Sequence, residues 1–214
     1  MSVEILVDSY DINTKSLYLF NKSISEIPES ISKLVKLEIL ALNGNQLTEL
    51  PESFGELIRL KELRLSQNKL TILPQPIVKL VNLKYLFLDN NQLTNLPESI
   101  GKLINLIHLE LPYNQLQVLP ESIGKLVNLK ILGLNFNKLK NLPSSILNIK
   151  ESLFIEESTY EINNLSPNTE ILIFSQLNEE LTNLPTGLKE IWIRQCDEEL
   201  NHKLPFGCMI KYFA

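Results

Sequence analysis

The sequence contains few of the residues from which catalytic and metal sites are built. Its 214 residues include only two cysteines, two histidines and one tryptophan. It lacks a P-loop, a glycine-rich phosphate-binding loop and an H-E-x-x-H motif. Two cysteines and a neighbouring histidine are too few ligands for a closed zinc site unless another group joins them. We therefore expect no enzyme, no cofactor and no metal.

Contiguous blocks of like charge and long apolar runs are lacking as well. The 20 lysine and arginine residues are outnumbered by 25 aspartates and glutamates, which leaves a net charge of −5. Because binding to phosphates requires clustered lysine and arginine, nucleic acid is not the expected partner. No segment has the length of a membrane span, and the N-terminal MSVEILVDSYD has too many acids for a signal peptide. With so few cysteines, these features favour an intracellular, cytoplasmic protein that does not bind membranes.

The sequence is instead dominated by one phrase that repeats every 23 residues from Leu37 to Lys150. Its clearest copy is LVNLKYLFLDNNQLTNLPESIGKL at residues 80–103. A fixed period of roughly 20–50 residues marks a solenoid, and L-x-x-L-x-L-x-x-N-x-L is the leucine-rich-repeat phrase. The asparagine of the phrase recurs at Asn45, Asn68, Asn91, Asn114 and Asn137, and its proline at Pro28, Pro51, Pro74, Pro97, Pro120 and Pro143.

Each position of the phrase predicts a structural role. Leu86 and Leu88 alternate as in a strand, so both should face the interior. Asn91 lies where the chain turns out of the strand; its amide both donates and accepts, so we expect it to bridge its own turn to the next coil, or rung. Pro97 suits the start of a short helical turn. The predicted fold is an α/β, right-handed solenoid with a parallel sheet on its concave face and short helical or 3-10 turns on its convex face.

The same phrase divides the chain. We expect an N-terminal capping segment at 1–13, six 23-residue repeats over 14–151, degenerate and shorter repeats of about 20 residues over 152–207, and a C-terminal capping strand at 208–214. Ile5 and Val7 suit one short strand that covers the open apolar face of the first repeat. In the shorter repeats, the spacing aligns Ile171 with Ile191.

The repeats resemble those of known families. The 23-residue units, with their refrain LPESIGKL, resemble the intracellular leucine-rich repeats of Ras-suppressor and Scribble-type scaffold proteins over residues 14–151. The tail ILIFSQLNEELTNLPTGLKEIWI resembles the FNIP-type repeats of slime-mould and giant-virus proteins, including mimivirus-type leucine-rich-repeat proteins, although Leu177-Asn178-Glu179-Glu180 replaces their Phe-Asn-x-Pro core. The resemblance implies a scaffold that binds proteins, and, for a viral protein, one that works in the host-cell cytoplasm.

Cys196 is the residue that could suggest catalysis. Bacterial effector ubiquitin ligases join leucine-rich repeats to a catalytic domain with a Cys-x-Asp motif, and Asp197 follows Cys196 here. Only 18 residues follow Cys196, far fewer than such a domain contains. Cys196 also lies three residues after Ile193, a slot that takes asparagine or cysteine in this repeat class. We therefore interpret Cys196, with His202 nearby, as part of a structural rung; a disulfide to Cys208 and free thiols both stay open.

The side chains beside the strand leucines carry the candidate binding site, because packing does not dictate them. Aromatic residues mixed with arginine and acids have the composition of interaction hot spots, although strands favour aromatic residues in any case. We expect Tyr85, Phe87, Tyr113 and Phe136 to form one contiguous patch, a feature that usually marks an interaction site. The predicted protein-binding residues are Arg64, Tyr85, Phe87, Asp89, His108, Glu110, Tyr113 and Phe136.

These features predict a monomeric, non-catalytic module that binds a protein or peptide on its concave face. Two alternatives use the same fold: the substrate-recognition component of a ubiquitin-ligase-type assembly, and a scaffold in a small-GTPase pathway. Trp192 lies in the concave register away from the predicted patch, where it either covers a neighbouring rung or forms a second contact point.

Overall fold

Ten short parallel strands form one continuous sheet in the described part of the chain. The computed structural model describes residues 2–5, 8–73, 75–134, 136–139, 142–149, 152–154, 171–176, 190–195 and 209–212. Neighbouring strands of the sheet are consecutive in the chain, so successive rungs stack in sequence order as the predicted solenoid requires. After a separate hairpin of β1 (Ser2–Ile5) and β2 (Asp8–Asp11), the sheet comprises β3 (Ser16–Tyr18), β4 (Ile39–Ala41), β5 (Glu62–Arg64), β6 (Tyr85–Phe87), β7 (His108–Glu110), β8 (Ile131–Gly133), β9 (Ser152–Phe154), β10 (Ile171–Gln176), β11 (Glu190–Gln195) and β12 (Met209–Tyr212).

A 3-10 helix of five residues lies between each two consecutive strands from β3 to β9. In the rung of β6, Pro97 directly precedes the helix and Glu98 opens it. Proline presets the backbone of a first turn and lacks an N–H that would have no partner there, and an acid is favourable at that end. The predicted short helical turns are confirmed. They are η1 (Glu29–Lys33), η2 (Glu52–Glu56), η3 (Gln75–Lys79), η4 (Glu98–Lys102), η5 (Glu121–Lys125) and η6 (Ser144–Asn148).

The leucines of the phrase form one apolar core that runs through all the described 23-residue rungs. In the rung of β6, the side chains of Leu83, Leu86, Leu88 and Leu93 have no exposed surface. The inward direction predicted for Leu86 and Leu88 is therefore confirmed. Burial of one such side chain stabilises the fold by roughly 1.5–3 kcal/mol, and each rung depends on its neighbours to complete that burial.

The ladder asparagines join each rung to the rung before it. Asn91 Oδ1 accepts a hydrogen bond from Leu70 N at 3.0 Å, and its Nδ2 donates to Leu65 O at 2.9 Å and to Leu88 O at 3.0 Å. Leu65 and Leu70 belong to the preceding rung, so the bridge expected towards the next rung runs backward. The reason is that the Asn91 side chain is directed from its turn towards the residues that follow the preceding strand, where Leu65 O and Leu70 N lie. The same pattern holds at Asn45, Asn68, Asn114 and Asn137.

The residue before each ladder asparagine has a left-handed backbone. The angle φ is +70° at Gly44, +55° at Gln67, +54° at Asn90, and +52° at both Tyr113 and Phe136. This conformation costs a residue other than glycine roughly 1–2 kcal/mol, because Cβ approaches the following carbonyl oxygen. The turn out of the strand therefore imposes this strain in the four rungs where the residue is not glycine, and Gly44 avoids it.

The N-terminal segment forms two strands where the sequence predicted one. β1 ends at Ile5 and β2 begins at Asp8, and the two pair antiparallel. The single strand predicted across Ile5 and Val7 is therefore wrong; pairing in a hairpin satisfies backbone groups that a lone strand would leave without partners. The side chains of Tyr10 and Ile12, at the end of this hairpin, pack against the core.

The last strands follow a shorter step than the 23-residue rungs. The sheet pairs Leu132 with Leu153, a step of 21 residues, and then Leu153 with Leu172 and Leu172 with Ile191, steps of 19. Ile191 in turn pairs with Ile210. The predicted alignment of Ile171 with Ile191 is therefore wrong by one residue. In a strand such a slip transfers every side chain to the opposite face.

Several predictions on this tail fall on residues that the structure does not describe. Cys196, His202 and Cys208 lie outside the described residues, as do most of the residues between the last strands. Trp192 lies in β11, paired with Ile173 of β10 and Lys211 of β12. The repeat boundaries within 152–207 stay a prediction.

Replacement of Asn91 by alanine should destabilise the solenoid by about 1–3 kcal/mol, because buried backbone groups on two rungs lose their partners. Asn95 in the same rung is exposed, and its amide reaches only the Thr94 hydroxyl at 3.4 Å. Asn95→Ala is therefore the matched control and should change stability little. Chemical denaturation of both variants measures the difference; equal losses would contradict a bridging role for Asn91.

Gln67→Gly should raise the free energy of unfolding by up to about 1 kcal/mol, because glycine removes the strain of a positive φ but adds entropy to the unfolded chain. The matched control is Gln92→Gly: this exposed glutamine is not among the residues with positive φ. The control should lose roughly 0.5–1 kcal/mol. Denaturant titrations compare the two variants, and a loss of similar size in both would show that the turn at Gln67 is not strained.

Candidate functional site

The sheet presents one face whose side chains are free of the core. In the three-residue strands from β3 to β8 the central residue is buried, and the residues on either side of it lie on the opposite face of the sheet. In β6, Leu86 is fully buried while Tyr85 is exposed and Phe87 half-buried. We call this surface the open sheet face. The strand register arranges it in two columns, Ile39–Glu62–Tyr85–His108–Ile131 and Ala41–Arg64–Phe87–Glu110–Gly133.

Five side chains in the middle of the open sheet face contact one another. We call Glu62, Arg64, Phe87, His108 and Glu110 the central cluster. The Arg64 guanidinium carbon lies 5.5 Å from the centre of the Phe87 ring, and Arg64 Nε donates to Glu62 Oε1 at 2.5 Å. The Phe87 and His108 rings lie 5.1 Å apart with a tilt of 58°, and His108 Nε2 lies 2.6 Å from Glu110 Oε1. The central cluster therefore has its polar ends paired and its rings in contact before any partner arrives.

An open hollow borders the central cluster on the side of the earlier rungs. Its volume is about 290 Å³, and its lining consists of Asn43, Arg64, Ser66, Gln67 and Phe87. The lining combines one aromatic ring with amide, hydroxyl and guanidinium groups. Such a lining can donate and accept hydrogen bonds and can also contact an apolar stem.

Asp89 lies beside this hollow and is held by two neighbours. Ser66 Oγ donates to one carboxylate oxygen of Asp89 at 2.5 Å, and Asn90 Nδ2 donates to the other at 3.0 Å. The hydrogen bond from Ser66 crosses from one rung to the next. Asp89 therefore contributes a fixed negative charge to the open sheet face.

Tyr113 and Phe136 form a second aromatic group at the turns that follow β7 and β8. Their rings are nearly parallel, at an interplanar angle of 16° and a centre-to-centre distance of 4.2 Å. Both side chains remain exposed, by 51% and 41%, and both lie on the left-handed turn. Bulky residues are rare in that conformation. We call these two residues the stacked pair.

The side-chain contacts place six of the eight predicted residues in two groups, and Tyr85 and Asp89 belong to neither group. Arg64, Phe87, His108 and Glu110 belong to the central cluster, whereas Tyr113 and Phe136 form the stacked pair. Within the described residues, no ring contact joins Phe87 to the stacked pair. The sequence predicted neither these pairings nor the hollow that Asn43, Ser66 and Gln67 help to line, and the binding role of the eight residues stays a prediction. The short polar side chains of the hollow give no signal by composition alone.

The described residues contain neither a candidate group for a metal ion nor a helix that could span a membrane. No group of three or more histidine, cysteine, aspartate and glutamate side chains in that part of the chain could hold a metal ion. None of its helices has both the length and the apolar character needed to cross a lipid bilayer.

The fold has relatives among solved structures. A leucine-rich repeat protein of Leptospira interrogans is 25% identical to this chain, with a TM-score of 0.58 over 81% of it. The plant peptide hormone receptor RGFR1, in complex with RGF2, is 24% identical, with a TM-score of 0.59 over 80% of this chain. This chain spans 59% of the first protein and 30% of the second. No curated protein matches it.

Family comparison agrees with the stacked rungs. Residues 37–93 match the family described as leucine rich repeat, and residues 75–204 match the one described as leucine-rich repeat region. The second match covers more than half of the chain and includes strands β6 to β11. The chain therefore belongs to the leucine-rich repeat family.

Proposed function

We propose that this chain is a non-catalytic module that binds a protein or peptide segment on the open sheet face. Leucine-rich-repeat domains generally mediate protein or peptide binding and are typically non-catalytic. The observation that carries the proposal is the central cluster, together with the stacked pair: aromatic and charged side chains that packing of the core does not require. Such residues dominate binding energy at protein interfaces.

The geometry of the central cluster favours affinity because its side chains are already ordered. Ordering a long side chain at an interface costs roughly 0.5–1.5 kcal/mol. Arg64 is held between the Phe87 ring and the Glu62 carboxylate, and His108 between Phe87 and Glu110. A partner that contacts these groups therefore avoids much of that cost.

The two aromatic groups suggest two anchor points for one extended segment. Strain that persists at exposed residues is a reason to look for function there. The stacked pair keeps two exposed rings on a left-handed turn, although glycine or asparagine would suit the same turn, as at Gly44 and Asn90. The hollow beside Arg64 would accept a polar side chain of the same segment. Among proteins with this fold, the plant peptide hormone receptor RGFR1 is in complex with RGF2.

We also propose a repeat subtype, an oligomeric state and a cellular location for this chain. The refrain at 96–103 supports the Ras-suppressor and Scribble-type class for the 23-residue rungs, and the tail supports FNIP-type repeats, as in giant-virus proteins. We propose a monomer that acts in the cytoplasm, which would be the host-cell cytoplasm for a viral protein. A substrate-recognition component of a ubiquitin ligase and a small-GTPase scaffold would both bind their partners at the open sheet face, so a test of binding at that face bears on both.

Peptides selected from a displayed random library against the wild-type protein should bind at the open sheet face. The variant Tyr85→Ala/Phe87→Ala/Tyr113→Ala should bind them roughly a hundredfold more weakly, because truncation of a hot-spot residue costs about 2 kcal/mol or more. Fluorescence anisotropy of labelled peptides measures the affinity, and circular dichroism verifies that each variant is folded.

The control removes exposed apolar side chains elsewhere. Ile72 and Val118 are 56% and 62% exposed and lie outside the sheet strands, so Ile72→Ala/Val118→Ala should keep wild-type affinity. If the triple variant binds the peptides as tightly as this control does, the open sheet face is not the binding site.

A further inference from the structure

One edge of the solenoid consists of a six-residue segment that joins each 3-10 helix to the next strand. We call residues 33–38, 56–61, 79–84, 102–107 and 125–130 together the joining edge. Within each segment the second and fifth residues are leucines and are buried, while the other four are exposed or half-buried. The third segment, KLVNLK, shows the pattern most clearly.

The third residue of every segment of the joining edge is valine or isoleucine. These residues recur every 23 positions and are about half exposed, although the neighbouring leucines are buried. The row therefore presents one branched apolar side chain per rung to solvent. It comprises Val35 (50%), Ile58 (53%), Val81 (48%), Ile104 (53%) and Val127 (57%).

The same segments carry a concentration of positive charge. They contain nine lysine or arginine residues and two glutamates, a net charge of +7 (9 − 2) in a chain whose total is −5. Both glutamates pair with lysines of the next segment: Lys61 with Glu38 at 2.5 Å and Lys79 with Glu56 at 3.8 Å. The pKa of Glu38 is lowered by the Lys61 hydrogen bond first, then by the charges of Lys61, Lys15 and Arg59.

Helix ends account for only part of this charge. A lysine in the last turn of a helix complements the helix dipole, and this explains Lys33, Lys79, Lys102 and Lys125. It does not explain the remaining lysine and arginine residues, which lie beyond the helices. Those residues are Lys36, Arg59, Lys61, Lys84 and Lys130.

Side-chain hydrogen bonds also connect consecutive segments of the joining edge from the second to the fifth. Asn82 Nδ2 donates to Ile58 O, Asn105 Nδ2 to Val81 O, and Asn128 Nδ2 to Ile104 O, each at 2.8 Å. This exposed series links consecutive segments through the carbonyl of the aliphatic residue itself. These bonds therefore help to set the spacing of the aliphatic row from Ile58 to Val127.

We propose that the joining edge is a second interaction surface, which docks an acidic amphipathic helix of a partner protein. Strands of neighbouring rungs lie about 4.8 Å apart, and a helix advances about 5.4 Å per turn. Over the four steps between five rungs these spacings differ by about 2.4 Å in total, so one apolar residue per helical turn can reach one aliphatic side chain per rung. Acidic residues beside that apolar stripe face the lysine and arginine side chains on both sides of the row.

An anionic membrane surface would also attract the positive charge of the joining edge. Segments that insert into a bilayer interface are rich in tryptophan, phenylalanine and leucine on their apolar face. The exposed apolar residues of the joining edge are only valines and isoleucines, in single file. A single row matches the apolar stripe of one helix better than a plane of lipid.

The test uses a fluorescein-labelled peptide of three repeats of Glu-Leu-Glu-Glu-Leu-Glu-Ala, with fluorescence anisotropy as the readout. Arg59→Glu/Lys84→Glu should weaken binding at least about tenfold, because reversed charges repel the peptide. Added salt should weaken wild-type binding, since exposed charges are screened. Val81→Ser/Ile104→Ser should weaken binding with little change in the salt dependence. Thermal unfolding by circular dichroism verifies that each variant is folded.

Matched controls separate the joining edge from general attraction. Lys69 and Lys138 are exposed on the stretch that follows the ladder asparagines, so Lys69→Glu/Lys138→Glu makes the same charge change elsewhere and should retain wild-type affinity. Phe87→Ala should also retain it, which separates this surface from the open sheet face. A peptide with lysine in place of glutamate should not bind.

Three results would overturn the proposal. An equal loss of peptide affinity in Arg59→Glu/Lys84→Glu and Lys69→Glu/Lys138→Glu would show that net charge alone attracts the peptide. Loss in Phe87→Ala would place the peptide on the open sheet face. Wild-type protein that binds phosphatidylserine vesicles through Arg59 and Lys84 but binds no peptide would identify a membrane as the occupant.

Discussion

In each rung from β4 to β8, the turn after the strand leaves buried backbone N–H and C=O groups that need partners, and one asparagine side chain bonds them. The amide of Asn91 joins its own rung to the rung before it through three hydrogen bonds of 2.9–3.0 Å. A leucine core alone would hold the rungs together without fixing their register, because apolar burial has no direction. The backbone hydrogen bonds of the parallel sheet and the asparagine ladder together fix that register, and the alignment of the open sheet face and the joining edge follows from it.

The open sheet face and the joining edge depend on the register of the rungs in different ways. On the open sheet face, the central cluster combines side chains from adjacent strands, so its rings meet only when the register is correct. The joining edge repeats one segment, and a second series of exposed asparagines holds it. One face is therefore varied from rung to rung and the other uniform. Variation suits recognition of a particular segment, whereas uniformity suits a regular helix.

Much of the fold was predictable because the 23-residue period carries packing information at every position. The buried leucines, the short helical turns after proline and the sequence-ordered parallel sheet all follow from the phrase. The hairpin of β1 and β2 and the 19-residue step around Leu172 and Ile191 did not, because each occurs where the repetition fails. The positive φ of Tyr113 and Phe136 was hidden because side-chain type gave no hint of it.

The backward direction of the ladder makes the two ends of the array unequal. In the described sheet no strand lies before β3, so an asparagine in the first rung would have no earlier rung to bond; Lys22 occupies that slot, and its N–H is bonded by Asn45 at 3.0 Å. A copied unit inserted between existing rungs brings its own asparagine and needs no other change. A unit added ahead of the first rung would be joined to it only if Lys22 became asparagine. Duplication of a unit can therefore lengthen the array internally without further substitutions, whereas extension at its start also requires a substitution at Lys22.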